Sequence, residues 1–123
     1  MAIPESVLIV DDEAHVRTFV KLLFGHFGVH RFYEAADAAE ARMLFAAHAP
    51  SMVTLDVNMP GVGGLELLGE FRKADDDVVI VMFSAAVQAQ AVNAAVEGGA
   101  DGFIRKDAPR EQILAELHNI LDD

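Results

Sequence analysis

Four short apolar runs in this chain are each followed by residues that can do chemistry. Asp11 and Asp12 follow residues 7–10, Asp56 and Asn58 follow residues 52–55, Ser84 follows residues 78–83, and Lys106 follows residues 102–105. Carboxylate oxygens bind divalent cations, whereas a hydroxyl and an ammonium group bind phosphate oxygens. If these side chains come together, their types favour a site for a divalent cation and a phosphoryl group.

The spacing of the runs indicates that they are buried strands of one sheet. Longer stretches with apolar residues at helical spacing lie between them, which is typical of parallel strands joined by helical crossovers. The C-terminal ends of parallel strands meet at the same edge of a sheet. We therefore expect an α/β protein with a (βα)5 pattern and one shared site.

The helical stretches and the remaining strand can be placed from local patterns. The first helix is predicted to stop at Gly28 and carries Val16, Phe19, Val20, Leu23 and Phe27 at helical spacing, and a strand follows at 31–35. A capping box of Asp37 and Glu40 opens a second helix, which faces the sheet with Ala41, Leu44 and Phe45. A third helix is predicted at 64–73 with Leu67, Leu68 and Phe71, a fourth at 88–97, and a last helix with Ile113, Leu117, Ile120 and Leu121. Met59-Pro60-Gly61 predicts a turn beside Asp56.

Composition limits the class of protein. At 123 residues with 53% hydrophobic content, residues 1–123 form one domain with a proper core. A formal charge of −11 disfavours binding to nucleic acid or to membranes, and so favours protein partners. The absence of cysteine excludes disulfides and thiol chemistry, and the N-terminus has no signal-peptide pattern, so we expect a cytoplasmic protein.

The ordered set of site residues resembles the receiver domain of bacterial two-component response regulators. The resemblance rests on Asp11-Asp12, on Asp56 within Asp56-Val57-Asn58-Met59-Pro60-Gly61, on Ser84 and on Lys106, and it spans essentially the whole chain. It implies a doubly wound, flavodoxin-like fold with strand order 2-1-3-4-5. It also implies a phosphoacceptor that takes a phosphoryl group from a histidine kinase onto Asp56.

The resemblance further implies a Mg²⁺ cofactor and its ligands. Asp12 and Asp56 would bind the ion directly, Asp11 through water, and Asn58 through its backbone carbonyl. From the residues alone, Asp11 or Asp12 could instead cap the first helix, and Asp56 could simply begin a turn. Two adjacent acids near Asp56 nevertheless repel one another, a cost that a bound dication removes.

The resemblance also implies which residues bind the phosphoryl group and which residues act as the switch. Ser84 and Lys106 would bind phosphoryl oxygens, and Ser84 and Phe103 would be the switch residues that link phosphorylation to the surface of the fourth helix, the fifth strand and the fifth helix. Core packing is an equally good explanation for Phe103. The fourth helix, at 88–97, carries no charge before Glu97, which favours a protein-binding surface, but a weakly amphipathic, alanine-rich helix explains the pattern nearly as well.

The expected partners are a sensor histidine kinase or phosphotransfer protein and an unidentified downstream protein, with a stand-alone chain that is a monomer or weak dimer. A phosphate sink without output is the main alternative. A Mg²⁺-dependent phosphohydrolase is less favoured, because Asp56-Val57-Asn58 lacks a second acid for proton transfer. A nucleotide or flavin site is disfavoured, because no glycine-rich phosphate loop follows the first strand.

Two positions depart from the family pattern. Lys106 is followed by Asp107 instead of the usual proline with a cis peptide, so we expect a trans Lys106–Asp107 bond and a rebuilt loop. Gly63 replaces the Asp or Asn that often caps the third helix. Neither change removes a group that does chemistry.

Overall fold

A computed structural model describes residues 2–85 and 88–122 of the chain. Strands and helices alternate through the described residues. The elements are β1 (Ser6–Val10), α1 (Ala14–His26), β2 (Arg31–Ala35), α2 (Ala38–His48), β3 (Met52–Leu55), α3 (Gly64–Ala74), β4 (Val79–Ser84), α4 (Ala89–Glu97), β5 (Gly102–Arg105) and α5 (Arg110–Leu121). This order confirms the predicted (βα)5 pattern.

All five strands are parallel and form one sheet in the order β2-β1-β3-β4-β5. The register pairs Val10 with both Ala35 and Leu55, and it pairs Ser84 with Arg105. The strands therefore end together at one edge of the sheet. The predicted strand order is confirmed.

The sheet is buried on both faces, as expected for a parallel sheet covered by helices. One core packs beneath α2, α3 and α4, with Leu67, Leu68 and Phe71 fully or nearly fully buried. The other packs beneath α1 and α5, with Leu23 and Leu117 almost fully buried in it. β1 and β3 are buried at every residue, which explains their continuous apolar runs.

Most of the element boundaries that were predicted from local signals lie within one residue of the observed boundaries. Gly28 follows α1 with a φ of 94°, and Gly61 has a φ of 79° in the turn after Asp56. These are conformations in which a side chain is disfavoured. Asp37 caps α2 by accepting from the Glu40 N–H at 2.8 Å. The Glu40 carboxylate accepts from Ala36, not from Asp37, so the capping box is displaced by one residue.

The apolar run at 78–83 and the fourth helix at 88–97 are found as the separate elements β4 and α4, as predicted. Among the described residues, no helix combines the length and the apolarity that crossing a membrane requires. The predicted output surface can be located on α4, β5 and α5. Ala86, from which the phosphorylated chain is expected to show shifted NMR signals, lies outside the described residues.

Candidate functional site

Three residues of the site stand one position beyond a strand and stay in the hydrogen-bond ladder of the sheet. The Asp11 N–H donates to the Ala35 carbonyl at 3.0 Å, and the Asp56 N–H donates to the Val10 carbonyl at 3.1 Å. The Lys106 N–H donates to the Ser84 carbonyl at 3.1 Å. The sheet itself therefore fixes where these backbones lie.

The Lys106 ammonium group joins the two buried acids. Its Nζ lies 2.6 Å from Asp11 Oδ2 and 2.9 Å from Asp56 Oδ2, and it is 3.9 Å from Glu13 Oε1. Asp11 is 2% exposed and Asp56 is 4% exposed, so both carboxylates are largely removed from water. A buried carboxylate needs a cationic or hydrogen-bonding partner, and Lys106 provides one for both.

In both Asp11 and Asp56, one carboxylate oxygen accepts a backbone hydrogen bond and the other contacts Lys106. Asp11 Oδ1 accepts from the Glu13 N–H at 2.9 Å, and Asp56 Oδ1 accepts from the Asn58 N–H at 3.1 Å. In both cases the acceptor bonds to the amide two residues ahead, as in an Asx turn. The local turn orients each carboxylate, and its second oxygen, Oδ2, is directed to Lys106.

The surroundings of Lys106 set its charge. Burial acts to lower the pKa of its ammonium group, but the hydrogen bonds and charges of Asp11 and Asp56 together outweigh burial and raise the pKa. Lys106 therefore stays protonated throughout the neutral range. It acts here as a fixed positive charge.

The three predicted metal ligands with carboxylates lie together. Asp11, Asp12 and Asp56 can each place one carboxylate oxygen so that all three lie within 4.8 Å of one another. Asp12 is exposed, whereas the other two are buried. An all-oxygen donor set with one solvent-facing acid suits Mg²⁺, which keeps several waters in proteins. The site already contains one positive charge, the Lys106 ammonium group, which contacts both Asp11 and Asp56.

Capping does not explain the acidic pair. The N-cap residue of α1 is Glu13, whose side chain makes no cap hydrogen bond, and neither Asp11 nor Asp12 occupies the N-cap position. Asn58 is placed beside Asp56 by its amide hydrogen bond. Ligation through the Asn58 carbonyl remains a prediction.

The other predicted residues lie on adjacent strands. Ser84 is fully buried at the end of β4, next to Arg105 in the register. Phe103 is paired with Met82 and packs, partly exposed, against the core beneath α2, α3 and α4. This packing is compatible with either a switch or a core role for Phe103.

The loop that carries Lys106 is a turn. The Ala108 N–H donates to the Arg105 carbonyl at 3.3 Å, so Lys106 and Asp107 occupy its two corners. No peptide bond between described residues is cis, which confirms the trans Lys106–Asp107 bond. Gly63 precedes α3 without a side-chain cap, as its lack of a side chain requires.

Sequence reasoning missed three residues that shape the site. Glu13 contacts both Asp11 and Lys106, and the Arg17 guanidinium donates to the Asp11 carbonyl at 2.7 Å. Gly64 brings the first turn of α3 against Asp56, since a Cβ at Gly64 would overlap the Asp56 carbonyl oxygen. The sequence contains a signal for two of them: Glu13 is a third acid directly after Asp11 and Asp12, and Gly64 follows another glycine, Gly63.

Comparison with known proteins agrees with this geometry. The family model described as the response regulator receiver domain matches residues 7–118, and the chain belongs to that family. The chain is 33% identical over 116 residues to the chemotaxis protein CheY of Bacillus subtilis, covering 94% of this chain and 97% of that protein. It is 34% identical to the nitrate/nitrite response regulator NarL of Escherichia coli K12, covering 94% of this chain but only 54% of NarL.

Solved structures show the same fold. A chain of the CheX-CheY-BeF3-Mg²⁺ complex from Borrelia burgdorferi has a TM-score of 0.89 to this one at 30% identity, covering 98% of this chain and 92% of that one. A CheY-like receiver domain from Methanospirillum hungatei has a TM-score of 0.86 at 23% identity, covering 96% and 94% of the two chains. The flavodoxin-like architecture of the family is therefore shared throughout the sheet.

Proposed function

We propose that this chain is a phosphoacceptor response regulator in which Asp56 receives a phosphoryl group from the phosphohistidine of a sensor kinase or phosphotransfer protein. The observation that carries the proposal is the contact between Lys106 Nζ and Asp56 Oδ2 inside a cluster of three acids. A structural ion pair alone would not need two further acids beside it. A phosphoryl site needs both the acids and the fixed positive charge.

In the proposed reaction, an oxygen of Asp56 attacks phosphorus while the bond between phosphorus and the imidazole nitrogen of the donor breaks. The electron pair of that bond leaves with the imidazole. Because Asp56 Oδ1 already accepts from the Asn58 amide, Oδ2 is our choice for the attacking oxygen. Lys106 contacts Oδ2, so its ammonium group can bind the incoming phosphoryl oxygens and stabilise their negative charge.

Asp11, Asp12 and Asp56 would hold Mg²⁺, with the Asn58 carbonyl as a further oxygen ligand. When bound, Mg²⁺ neutralises negative charge on the acids and on the phosphoryl oxygens. The similar CheY complex from Borrelia burgdorferi includes Mg²⁺ and BeF3, which supports the same cofactor here. Asp11 and Asp56 are already oriented by local turns, so little side-chain rearrangement is required of them.

The donor must reach Asp56 from the solvent side of the sheet edge. A cavity of about 410 Å³ lies beside Lys106, between the start of α1 and the loop after β5, and its lining includes Phe19 and Phe83. The net charge of −11 favours protein partners over nucleic acids. We propose a histidine kinase as donor and a protein bound at α4, β5 and α5 as the downstream partner, with Ser84 and Phe103 coupling the two sites.

The test is labelling by a small acyl phosphate with Mg²⁺, followed by intact-mass measurement. The wild-type chain should gain one phosphoryl group, Asp56→Asn should gain none, and Asp76→Asn, in the loop before β4, should behave as wild type. Chelating Mg²⁺ should prevent the gain. Labelling of Asp56→Asn would refute the assignment, and turnover of many equivalents would support a phosphohydrolase instead.

A further inference from the structure

Lys106 lies in the turn that follows β5, outside any regular element. The hydrogen bond that closes this turn, from the Ala108 N–H to the Arg105 carbonyl, is 3.3 Å long. The side chain of Lys106 must nevertheless reach two acids that belong to other strands. A second constraint on the turn would help to hold that geometry.

The residues on either side of Lys106 supply such a constraint. Arg105 Nε donates to Asp107 Oδ1 at 3.1 Å, and Arg105 Nη2 donates to Asp107 Oδ2 at 3.0 Å. A two-pronged contact between a guanidinium group and a carboxylate fixes direction as well as distance. It spans the turn from its first residue to its third, while Lys106 in between is directed to the acids.

The Arg105–Asp107 ion pair is exposed, whereas the ion pairs of Lys106 with Asp11 and Asp56 are buried. The side chains of Arg105 and Asp107 are 54% and 60% exposed, whereas that of Lys106 is 12% exposed. Asp107 also contributes to the lining of two cavities, one beside Lys106 and one of about 190 Å³ beside Pro109. The sheet holds the turn through the Lys106 N–H, and Ala108 packs against the core beneath α1 and α5, whereas Asp107, at the second corner, borders open space.

We propose that the Arg105–Asp107 ion pair is a positioning device that holds the turn in the form that presents Lys106 to Asp56. The proposal rests on the proposed function of Asp56 as phosphoacceptor, but the geometry of Lys106 can be measured independently. The Arg105 hydrogen bonds also lower the pKa of the Asp107 carboxyl, so the pair is intact at neutral pH. Both residues would act on the reaction only through Lys106.

An alternative role for these charges is steering of the anionic donor, and the two roles predict opposite results for one variant. Removing Asp107 would speed labelling if the charges act by steering, because the chain is already strongly acidic. It would slow labelling if Asp107 holds the turn. Arg105→Gln slows labelling under both roles, so Asp107→Asn is the deciding variant.

The experiment measures the initial rate of acyl-phosphate labelling at low ionic strength for Arg105→Gln, Asp107→Asn and the charge-swapped pair Arg105→Asp/Asp107→Arg. Both single variants should be about two- to fivefold slower than wild type, the size expected for an exposed ion pair. The swapped pair should recover most of the rate. In 1 M salt the differences should shrink, because exposed charges are screened.

Arg31→Gln is the matched control. Arg31 is an exposed arginine with its own weak ion pair, 3.9 Å from Glu5, at the start of β2 and thus at the opposite edge of the sheet. Its loss removes the same charge without touching the turn. Arg31→Gln should keep the wild-type rate.

A second measurement separates this proposal from the proposed function. In protein freed of metal by a chelator, nuclear Overhauser contacts between the Lys106 side chain and the β-protons of Asp11 and Asp56 report the ion pair directly. They should weaken in both single variants and return in the swapped pair. Unchanged contacts, or a faster rate in Asp107→Asn, would overturn the proposal. Loss of labelling in wild type with the expected contact changes would instead refute only the phosphoacceptor function.

Discussion

Lys106 donates to Asp56 Oδ2 at 2.9 Å across fifty residues of sequence. The contact exists because β3 and β5 end at the same edge of the sheet, on either side of β4. Lys106 also reaches Asp11, so one ammonium group serves two buried acids. A single internal cation thus holds these two acids together.

Replacing Lys106 with methionine should destabilise the protein when Mg²⁺ is withheld. The change leaves Asp11 and Asp56 buried without their cation, and removing one partner of a buried ion pair costs about 3–5 kcal/mol. Saturating Mg²⁺ should then raise the melting temperature more than it does in wild type, since the metal replaces the missing charge.

Lys21→Met provides the comparison, measured by the same urea and thermal unfolding. Lys21 pairs with Glu34 at 3.3 Å on the surface, and loss of such a pair costs less than about 1 kcal/mol. If Lys106→Met unfolds no more easily than Lys21→Met, the buried ion pair does not support the fold.

Gly64→Ala should distort the site from the side of α3. The new Cβ would overlap the Asp56 carbonyl oxygen, so the helix or the strand end must move. We expect a loss of about 2 kcal/mol or more in unfolding free energy together with slower labelling of Asp56.

Gly69→Ala, in the same helix, is the control, because a Cβ there meets nothing within 4 Å. This change should stabilise the protein by about 0.5–1 kcal/mol through helix propensity alone. Equal effects of the two substitutions would show that the contact between Gly64 and Asp56 carries no strain.

The ion pair between α2 and α3 should give a pH-dependent contribution to stability. Arg42 holds Glu70 through two contacts of 2.8 Å, and this hydrogen bonding lowers the pKa of the Glu70 carboxyl. A lowered folded-state pKa means that the stabilisation is fully present above the ordinary pKa of glutamate. It is lost as pH falls through the lower, folded-state value.

A double-mutant cycle of Arg42→Gln and Glu70→Gln, followed by chemical unfolding at several pH values, measures this coupling. The coupling should be small, since both side chains are about two-fifths exposed, and constant near neutral pH. It should disappear in acid. A coupling that persists well below the carboxyl range would mean that packing, and not charge, joins α2 to α3.

Beryllofluoride with Mg²⁺, used as a phosphoryl mimic, should shift amide NMR signals beyond the site. Ser84 and Phe103 lie on adjacent strands, and α4 follows β4 directly, so a movement of Ser84 has a short path to the helix. Shifts are expected at 88–99 and at Phe103. The exposed, uncharged part of α4, which includes Val96 at 67% exposure, is where a partner would bind.

The mimic also separates the two signalling hypotheses. Shifts that stay within the loops of Asp12, Asp56, Ser84 and Lys106 would indicate a phosphate sink without a propagated change. The same measurement on Asp56→Asn, which should not bind the mimic, excludes effects of free fluoride and metal.

Much of the fold follows from local patterns in the sequence. The strands at 31–35 and 102–105 occur at the expected residues, because short runs with turn signals on both sides leave few alternatives. The acidic, hydroxyl and lysine residues were found for the same reason, since each stands where an apolar run ends. Parallel topology then requires that these ends meet.

The contacts inside the site depend on the tertiary structure. Sequence does not distinguish the buried Asp11 from the exposed Asp12, because that depends on which residue stays in the ladder with β2. Phe24, fully buried in α1, was not among the expected core residues. Its burial depends on how closely α1 approaches the sheet.

The same holds for the groups that position Lys106 and Asp56. The approach of Gly64 to the Asp56 carbonyl requires the docking of α3, and the contact of Lys106 with two acids requires three strands in the correct order. Local patterns determine which residues end each strand. Only packing of the whole chain determines which of those ends come within bonding distance, because hydrogen bonds across fifty residues depend on the strand order that the two cores stabilise.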